Sequence, residues 1–421
     1  LSAARAVGTM AAMRRSLSPL RWSALALLAA CSSTPSFDAP RFQPFEADLR
    51  AFAQRQLEEM DVPGVWIALL EVDPSTGVEH LWADHLGSPS DSYPPGRQRE
   101  VLATHRVASI SKLFTDTAAM VLAERGALDL DAPVQTYLPE FAPKDPYGVP
   151  ITLRLLMGHR AGLVRESPVG HYFDPDEPTL AATVASLNDT TLVHRPGTEF
   201  KYSNPGVGVV GEVVARVAGE PFEDAARPET SCAAQERMWA LPDGQTGGCG
   251  LGFFVRRLDG HLRVGHGGAV YGFASSLAAL PEQGLAVAVV CTKDFANSVA
   301  DAIADRALRA ALANRRGERL PPAQFPTELG AERARALAGT WRCGDNWVQL
   351  YERDGELFFD PNIGVRTRMR AAADGWLVAD DPLSVGGARR LRELPSGELY
   401  DGEVRYVRDL SVPAPAPPTL S

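Results

Sequence analysis

Along the chain, apolar residues first recur at helical steps at Phe45, Leu49, Phe52, Leu57 and Met60, which predicts an amphipathic helix. "VPGVWIALLEVD" and "GVEHLWADHL" follow and read as two strands around the turn "PSTG". Residues 88–100 have loop composition. Over 109–125 the pattern turns helical again, with Leu113, Thr117, Met120, Val121 and Glu124 stacked and Gly126 as the stop. A further helix is expected over 205–218, with Pro205 at its start. Beyond residue 250 the texture changes. "GLGFFVRRL", "HLRVGH", "GFASSLAAL" and "LAVAVVC" are strand-like runs separated by Gly or Pro turns. Val299, Ile303, Ala307 and Ala311 then share one face of a last helix. A helix, a strand pair, a helical middle, four strands and a helix predict an α+β fold, an antiparallel sheet with helices packed on it.

Residues 317–335 are rich in Pro and charge and read as a linker. Short strand runs at hairpin spacing, "LAGTWRC", "NWVQLYERDGELFFD", "TRMRAAADGWLVA" and "LYDGEVRYVRD", predict a small all-β barrel over 336–410. Residues 411–421 form a Pro-rich tail.

The other end is not expected to be part of the fold. Arg14, Arg15 and Arg21 precede a short apolar run from Trp22 to Ala30, and Cys31 closes it. A run of about ten residues is too short to span a bilayer, which takes about 20. Residues 1–31 read as an export signal, and 32–44 as a polar tether.

Composition narrows the function. The chain has 421 residues, 45% hydrophobic and 22% charged, with a net charge of −10, which is globular and acidic. An acidic surface without a basic block argues against nucleic acid as a partner. The partners left are a small-molecule or peptide substrate and, through the leader, a membrane. The spacing of Cys232, Cys249, Cys291 and Cys343 fits no zinc pattern. Cys291 ends an apolar run and reads as a buried thiol, while a Cys232–Cys249 bridge stays open.

Candidate chemistry sits in "RVASISKLF". Only four of the 42 basic residues are lysines, and one of them, Lys112, follows Ser109 by three positions. On a helix that spacing puts both on one face, about 5–6 Å apart at Cβ. A serine hydroxyl is a poor nucleophile until a base takes its proton. A lysine is such a base once burial or nearby positive charge lowers its pKa. The helix start adds unpaired N–H groups that favour an oxyanion. Alone, S-x-x-K is weak, since a capping serine and a solvated lysine give the same string. Tyr202-Ser203-Asn204 and His266-Gly267-Gly268 downstream give it company.

In this order the three motifs resemble the serine β-lactamase and penicillin-binding-protein superfamily, and within it the class C β-lactamase-like branch with its esterases and D-amino-acid peptidases. The flanks "LAERGALDLDAPVQTYLPEF", "ITLRLLMGHRAGL" and "PGTEFKYSNPGVGVVGEVVARVAGEPF" agree. The resemblance covers residues 45–316. It implies an α+β serine hydrolase domain with a helical subdomain, a nucleophile Ser109, and proton transfer shared by Lys112 and Tyr202. It further implies that Asn204 orients the substrate amide or carbonyl and that His266 stands where the third motif usually has lysine. The oxyanion hole would be the N–H groups of Ser109 and Ala269, beside Gly267 and Gly268. No metal or cofactor is implied. His159, in "LMGHRAGL", becomes a structural loop residue. The end of the leader resembles a bacterial lipobox, which implies acylation of Cys31. The chain would then be a lipoprotein on the periplasmic side of a membrane, the outer one favoured by the Ser after Cys31.

Two departures qualify this picture. Gly267 stands where β-lactamases carry a hydroxyl, which fits esterases and peptidases better. The interval from Asn204 to His266 is 62 residues (266 − 204), shorter than usual in the family, so part of the helical subdomain around 224–232 is expected to be absent. The function expected is therefore an exported serine hydrolase acting through an acyl-serine on an ester, amide or D-amino-acid peptide. The alternatives are a catalytically impaired binding or sensor protein on the same fold, a true β-lactamase, or a function carried by the barrel.

Overall fold

The structure, a computed structural model, describes residues 39–73, 75–87, 105–171, 174–225, 237–241, 247–344, 346–360, 367–379, 390–402 and 404–412. The leader with Cys31, the loop 88–100, Cys232, most of the segment around 224–232 and nearly all of the tail lie outside them.

Helix α1 runs from Ala39 to Glu59. It thus starts inside the segment expected to be a tether. The reason is Phe42, which is fully buried and packs edge-on against Phe45 at 6.0 Å. Strands β1 (Gly64–Val72) and β2 (Glu79–Gly87) pair antiparallel, as two strand runs around a short turn predicted. A single 3₁₀ turn (Ala108–Ile110) leads into α2 (Ser111–Glu124). Short helices α3 (Leu153–Met157) and α4 (Leu180–Ser186) precede α5 (Asn204–Ala218), and α6 (Phe222–Ala225) follows it. Ser203 caps α5 by accepting from the Gly206 N–H, and Pro205 takes the first turn, where its missing N–H costs nothing.

Strands β3 (Gly248–Cys249), β4 (Phe254–Leu258), β5 (His261–Val270), β6 (Phe273–Leu280) and β7 (Leu285–Cys291) complete a sheet ordered β2-β1-β7-β6-β5-β4-β3, with every pair antiparallel. Its two faces separate along each strand, because side chains alternate. Val65, Ile67 and Leu69 of β1, with Val287 and Val289 of β7, pack against α1 and α7 (Asn297–Arg315). Leu70, Val72 and Ala286 join the opposite core with α2 and α5. Helix α7 is also clamped by charge. Asp301 and Asp305 bind Arg256 of β4 and Arg263 of β5, and Ser276 of β6 donates to Asp301 at 3.0 Å. Removing one member of such a buried cluster typically costs about 3–5 kcal/mol.

The last part is a closed eight-stranded antiparallel barrel. Helix α8 (Ala331–Leu337) enters it, followed by β8 (Gly339–Cys343), β9 (Asn346–Arg353), β10 (Glu356–Asp360), β11 (Thr367–Ala371), β12 (Leu377–Ala379), β13 (Arg390–Glu393), β14 (Leu399–Tyr400) and β15 (Arg405–Arg408). Leu350, Leu357, Phe359, Met369 and Leu399 fill its centre, with Ala334 and Leu337 of α8 among them. The segment expected as a linker therefore holds part of the barrel core. It is also pinned to the first domain, where Phe325 stacks on Phe52 at 5.4 Å, and the barrel is held there by Arg370 of β11, which pairs with Glu59 at 3.1 Å. The whole is an α+β domain, an antiparallel sheet with flanking helices, followed by a small all-β barrel.

Candidate active site

Ser109 lies in the 3₁₀ turn, immediately before α2. The residue before it, Ala108, has φ 51, a left-handed conformation that costs a non-glycine residue about 1 kcal/mol or more. Such a turn survives because packing fixes it. Val107 O accepts from Ser275 Oγ of β6 at 3.0 Å, and Ile110 is buried beneath. The Nζ of Lys112 donates to Ser109 Oγ at 3.0 Å. The one-turn spacing thus delivers the contact that the sequence proposed.

Burial pushes the Lys112 pKa down to about 8, opposed by Asp116 and Glu166 and helped by Arg165. Tyr202 is pushed the other way, up to about 12, chiefly by burial and against a hydrogen bond with Ser109. At neutral pH the phenol keeps its proton, while the amine is within reach of losing one. Lys112 is therefore the group that can accept a proton from Ser109, and Tyr202 is a group that can hand one on.

Strand β5 passes alongside. The sequence placed His266-Gly267-Gly268 at the end of a strand, but the strand runs through the motif to Val270. Glycines are poor strand formers. Pairing with β6 carries the strand on, His266 facing Leu277 and Gly268 facing Ser275. On the other side the ladder with β4 stops at Phe254 and Gly265, so residues 266–270 have no ladder partner there among the described residues. That open edge is where backbone can meet a substrate. Ala269 on it is exposed. Gly268 is required by proximity: a Cβ there would stand 2.1 Å from Val107 O and 2.4 Å from Ser275 Oγ. Its carbonyl accepts from Asn297 Nδ2 at 2.7 Å, which ties the edge to α7.

His266 is 4% exposed, and burial drives its pKa down to about 4. Its Nδ1 bonds the Gly267 carbonyl, which can only accept, so the proton sits on Nδ1. Nε2 is buried and without a hydrogen-bond partner among the described residues. The sequence set His266 only in the place where the third motif usually has lysine. In the fold it is neutral, since desolvation outweighs everything that could charge it.

The Nδ2 of Asn204 donates to Glu166 Oε1 at 2.6 Å, which leaves the amide its Oδ1 and its second N–H to offer the cleft. Glu166 and its neighbour Arg165 were not singled out by sequence. They lie in a loop with no motif, and tertiary hydrogen bonds such as that from Asn204 N to Arg165 O (2.9 Å) bring them alongside. Asp116 was likewise missed, although its place one turn after Lys112 was a readable signal. It is fully buried, and neither carboxyl oxygen has a hydrogen-bond partner among the described residues. His159 is buried with φ 54, and its Nδ1 accepts from Ser203 N at 3.3 Å. Its ring lies 4.2 Å from that of Tyr202. Phe200, Phe254 and His266 continue the contact in a closed circuit of rings, from Phe200 to His159, Tyr202, His266, Phe254 and back. Among the described residues no cluster of side chains could hold a metal ion, and Cys249, Cys291 and Cys343 are free thiols.

A seven-stranded antiparallel sheet between helical layers, with a serine and a lysine bonded at the start of a helix facing an open strand edge, defines a serine hydrolase of the β-lactamase fold. The family model described as Beta-lactamase matches residues 97–231 and 233–312, more than half of the chain, and the protein belongs to that family. Beta-lactamase-like protein str5 of Strobilurus tenacellus is 37% identical over 141 residues, 27% of this chain and 51% of that protein. D-alanyl-D-alanine-carboxypeptidase/endopeptidase AmpH of Escherichia coli K12 is 32% identical over 120 residues, 28% of this chain and 31% of that protein. The human mitochondrial serine beta-lactamase-like protein LACTB is 36% identical over 117 residues, 27% of this chain but 20% of that protein. The chain thus spans from a fifth to about half of the length of these relatives. Among solved structures, the octameric penicillin-binding protein homologue from Pyrococcus abyssi superposes with a TM-score of 0.51 at 18% identity. That match covers 86% of this chain and 99% of the other, and it shows a shared fold.

Proposed function

We propose that the protein is an exported hydrolase in which Ser109 is acylated by an ester, an amide or a D-amino-acid peptide. The observation that carries this reading is the 3.0 Å hydrogen bond from Lys112 Nζ to Ser109 Oγ, made by an amine whose pKa burial has brought near neutrality. In the reaction, Ser109 Oγ attacks the carbonyl carbon as its proton passes to Lys112. The oxyanion forms between the N–H groups of Ser109 and Ala269. Collapse breaks the bond to the leaving group, which takes up a proton through Tyr202. The Tyr202 proton is replaced from Lys112; water then attacks the acyl-serine, the neutral Lys112 takes its proton, and the acid departs as Ser109 regains a proton from Lys112. Asn204 orients the substrate's amide or carbonyl through Oδ1 or its second N–H, and Gly267 and Gly268 let it lie along β5.

A β-lactam is the less favoured substrate. The third motif carries neither a hydroxyl, at Gly267, nor a cation, at His266, for the ring carboxylate. Relatives with carboxypeptidase in their name and a TM-score of 0.50 to the D-amino acid amidase from Ochrobactrum anthropi SV3 support the peptide and amide side of the proposal. A TM-score of 0.50 to the hydrolase EstCE1 is in keeping with an ester.

The test compares wild type with Ser109→Ala on a p-nitrophenyl ester, a D-alanyl amide and a chromogenic β-lactam, together with fluorophosphonate labelling. Turnover and labelling should vanish in the variant, and equal labelling of both proteins would sink the mechanism. Export and acylation at Cys31 are proposed from the leader's sequence. Cys31→Ala should move the protein from the membrane to the soluble fraction.

A further inference from the structure

The loop that carries Arg165 is tied to the second motif along its backbone. Ser203 Oγ donates to Val164 O at 2.8 Å, and Asn204 N donates to Arg165 O at 2.9 Å. This places the Arg165 guanidinium over the Tyr202 ring, 5.3 Å from its centroid, while the side chain stays 63% exposed. Its Nε is 3.6 Å from Glu166 Oε1, the oxygen already bonded by Asn204. Neither terminal nitrogen makes a hydrogen bond among the described residues. A guanidinium with its fork free and one face against an aromatic ring is a receptor for a planar anion.

Position selects which half of the substrate it meets. Tyr202 hands a proton to the departing atom, so a cation lying over that ring stands beside the leaving group rather than the acyl group. The third motif, where the family carries a cation, offers only the buried and neutral His266. The other charges at this corner are Lys112, already bonded to Ser109, and Glu166, which opposes an anion. Resting on the hydrolase reading above, we propose that Arg165 recognises a carboxylate on the leaving-group half of the substrate. Anion recognition has thus moved from the strand edge to the loop on the opposite wall.

Two acetate esters that differ in one charge test this, 4-acetoxybenzoate and 4-acetoxybenzamide. The quantity read is the ratio of their kcat/KM values. Wild type should favour the carboxylate. Arg165→Met should lower the ratio tenfold or more, mainly through KM for the carboxylate, and Arg165→Lys should fall between. Glu166→Gln should raise the ratio by removing an opposing charge. Fluorophosphonate labelling of Ser109 in each variant reports that it is folded. If wild type is labelled and the ratio does not move in Arg165→Met, this inference falls and the hydrolase reading stands. If labelling takes place but neither ester turns over, the same ratio is read as protection from labelling by 4-hydroxybenzoate against 4-hydroxybenzamide. Absence of labelling and turnover in wild type would overturn both.

Discussion

Asp116 lies one helical turn beyond Lys112, fully buried, with neither carboxyl oxygen in a hydrogen bond among the described residues. Burial raises its pKa well above the ordinary carboxylate value, and Lys112 only partly opposes this. The folded protein therefore binds a proton that the unfolded chain releases once pH exceeds about 4. Stability from this group is intact below that pH and declines as pH rises toward the folded pKa, at about 1.4 kcal/mol per unit of separation. Asp116→Asn removes the titration and keeps the shape. Its melting temperature relative to wild type should be higher at pH 8 than at pH 4, and a difference independent of pH would refute the neutral carboxyl.

The Lys112 amine must be neutral to accept the Ser109 proton, and its pKa of about 8 sets where that happens. In the pH profile of kcat/KM, activity should rise through an acid limb near pH 8 and level off above it. Lys112→Ala should lower kcat by about 10²–10⁴. A profile flat from pH 6 to 10 would mean that another group is the base.

Tyr202 keeps its proton to about pH 12, so no alkaline limb below pH 10 should come from it. Tyr202→Phe keeps the ring between His159 and His266 and removes only the proton carrier. The expected outcome is a loss of kcat of about 10² or more with little change in KM. Steady-state kinetics on an ester and an amide provide the check. The amide, whose leaving group needs the proton more, should suffer the larger loss.

Gly268 has no space for a side chain between Val107 O and Ser275 Oγ. Gly268→Ala must push β5 away from the turn that holds Ser109. The loss of stability should be about 1–3 kcal/mol, measured by denaturant unfolding. Ser109 labelling should slow by more than this stability loss explains, because the displaced atoms belong to the nucleophile's own turn.

Much of the molecule was legible before folding. Ser109 and Lys112 are local to one turn, so identity and spacing alone bring them into reach. The apolar runs of β1 and β7, bounded by turns, mark buried strands, and the stripe of Val299, Ile303 and Ala307 assigns its residues to a core without knowledge of the partner surface. Boundaries were less legible. Phe42 extends α1 backwards because α7 covers it, and Ala334 and Leu337 belong to the barrel because eight strands close around them.

The sequence by itself determined which chemical groups are present and their order: a serine with a lysine one turn on, then a tyrosine, an asparagine and a histidine between glycines. Tertiary structure decided what state those groups are in. His266 is neutral because sheet and rings exclude water from it. One N–H of the Asn204 amide is occupied because the loop at Glu166, 38 residues earlier, folds against it. Lys112 titrates near 8 because its surroundings are dry. A residue's pKa and hydrogen-bond partners depend on groups brought from distant parts of the chain, and local pattern carries no record of them.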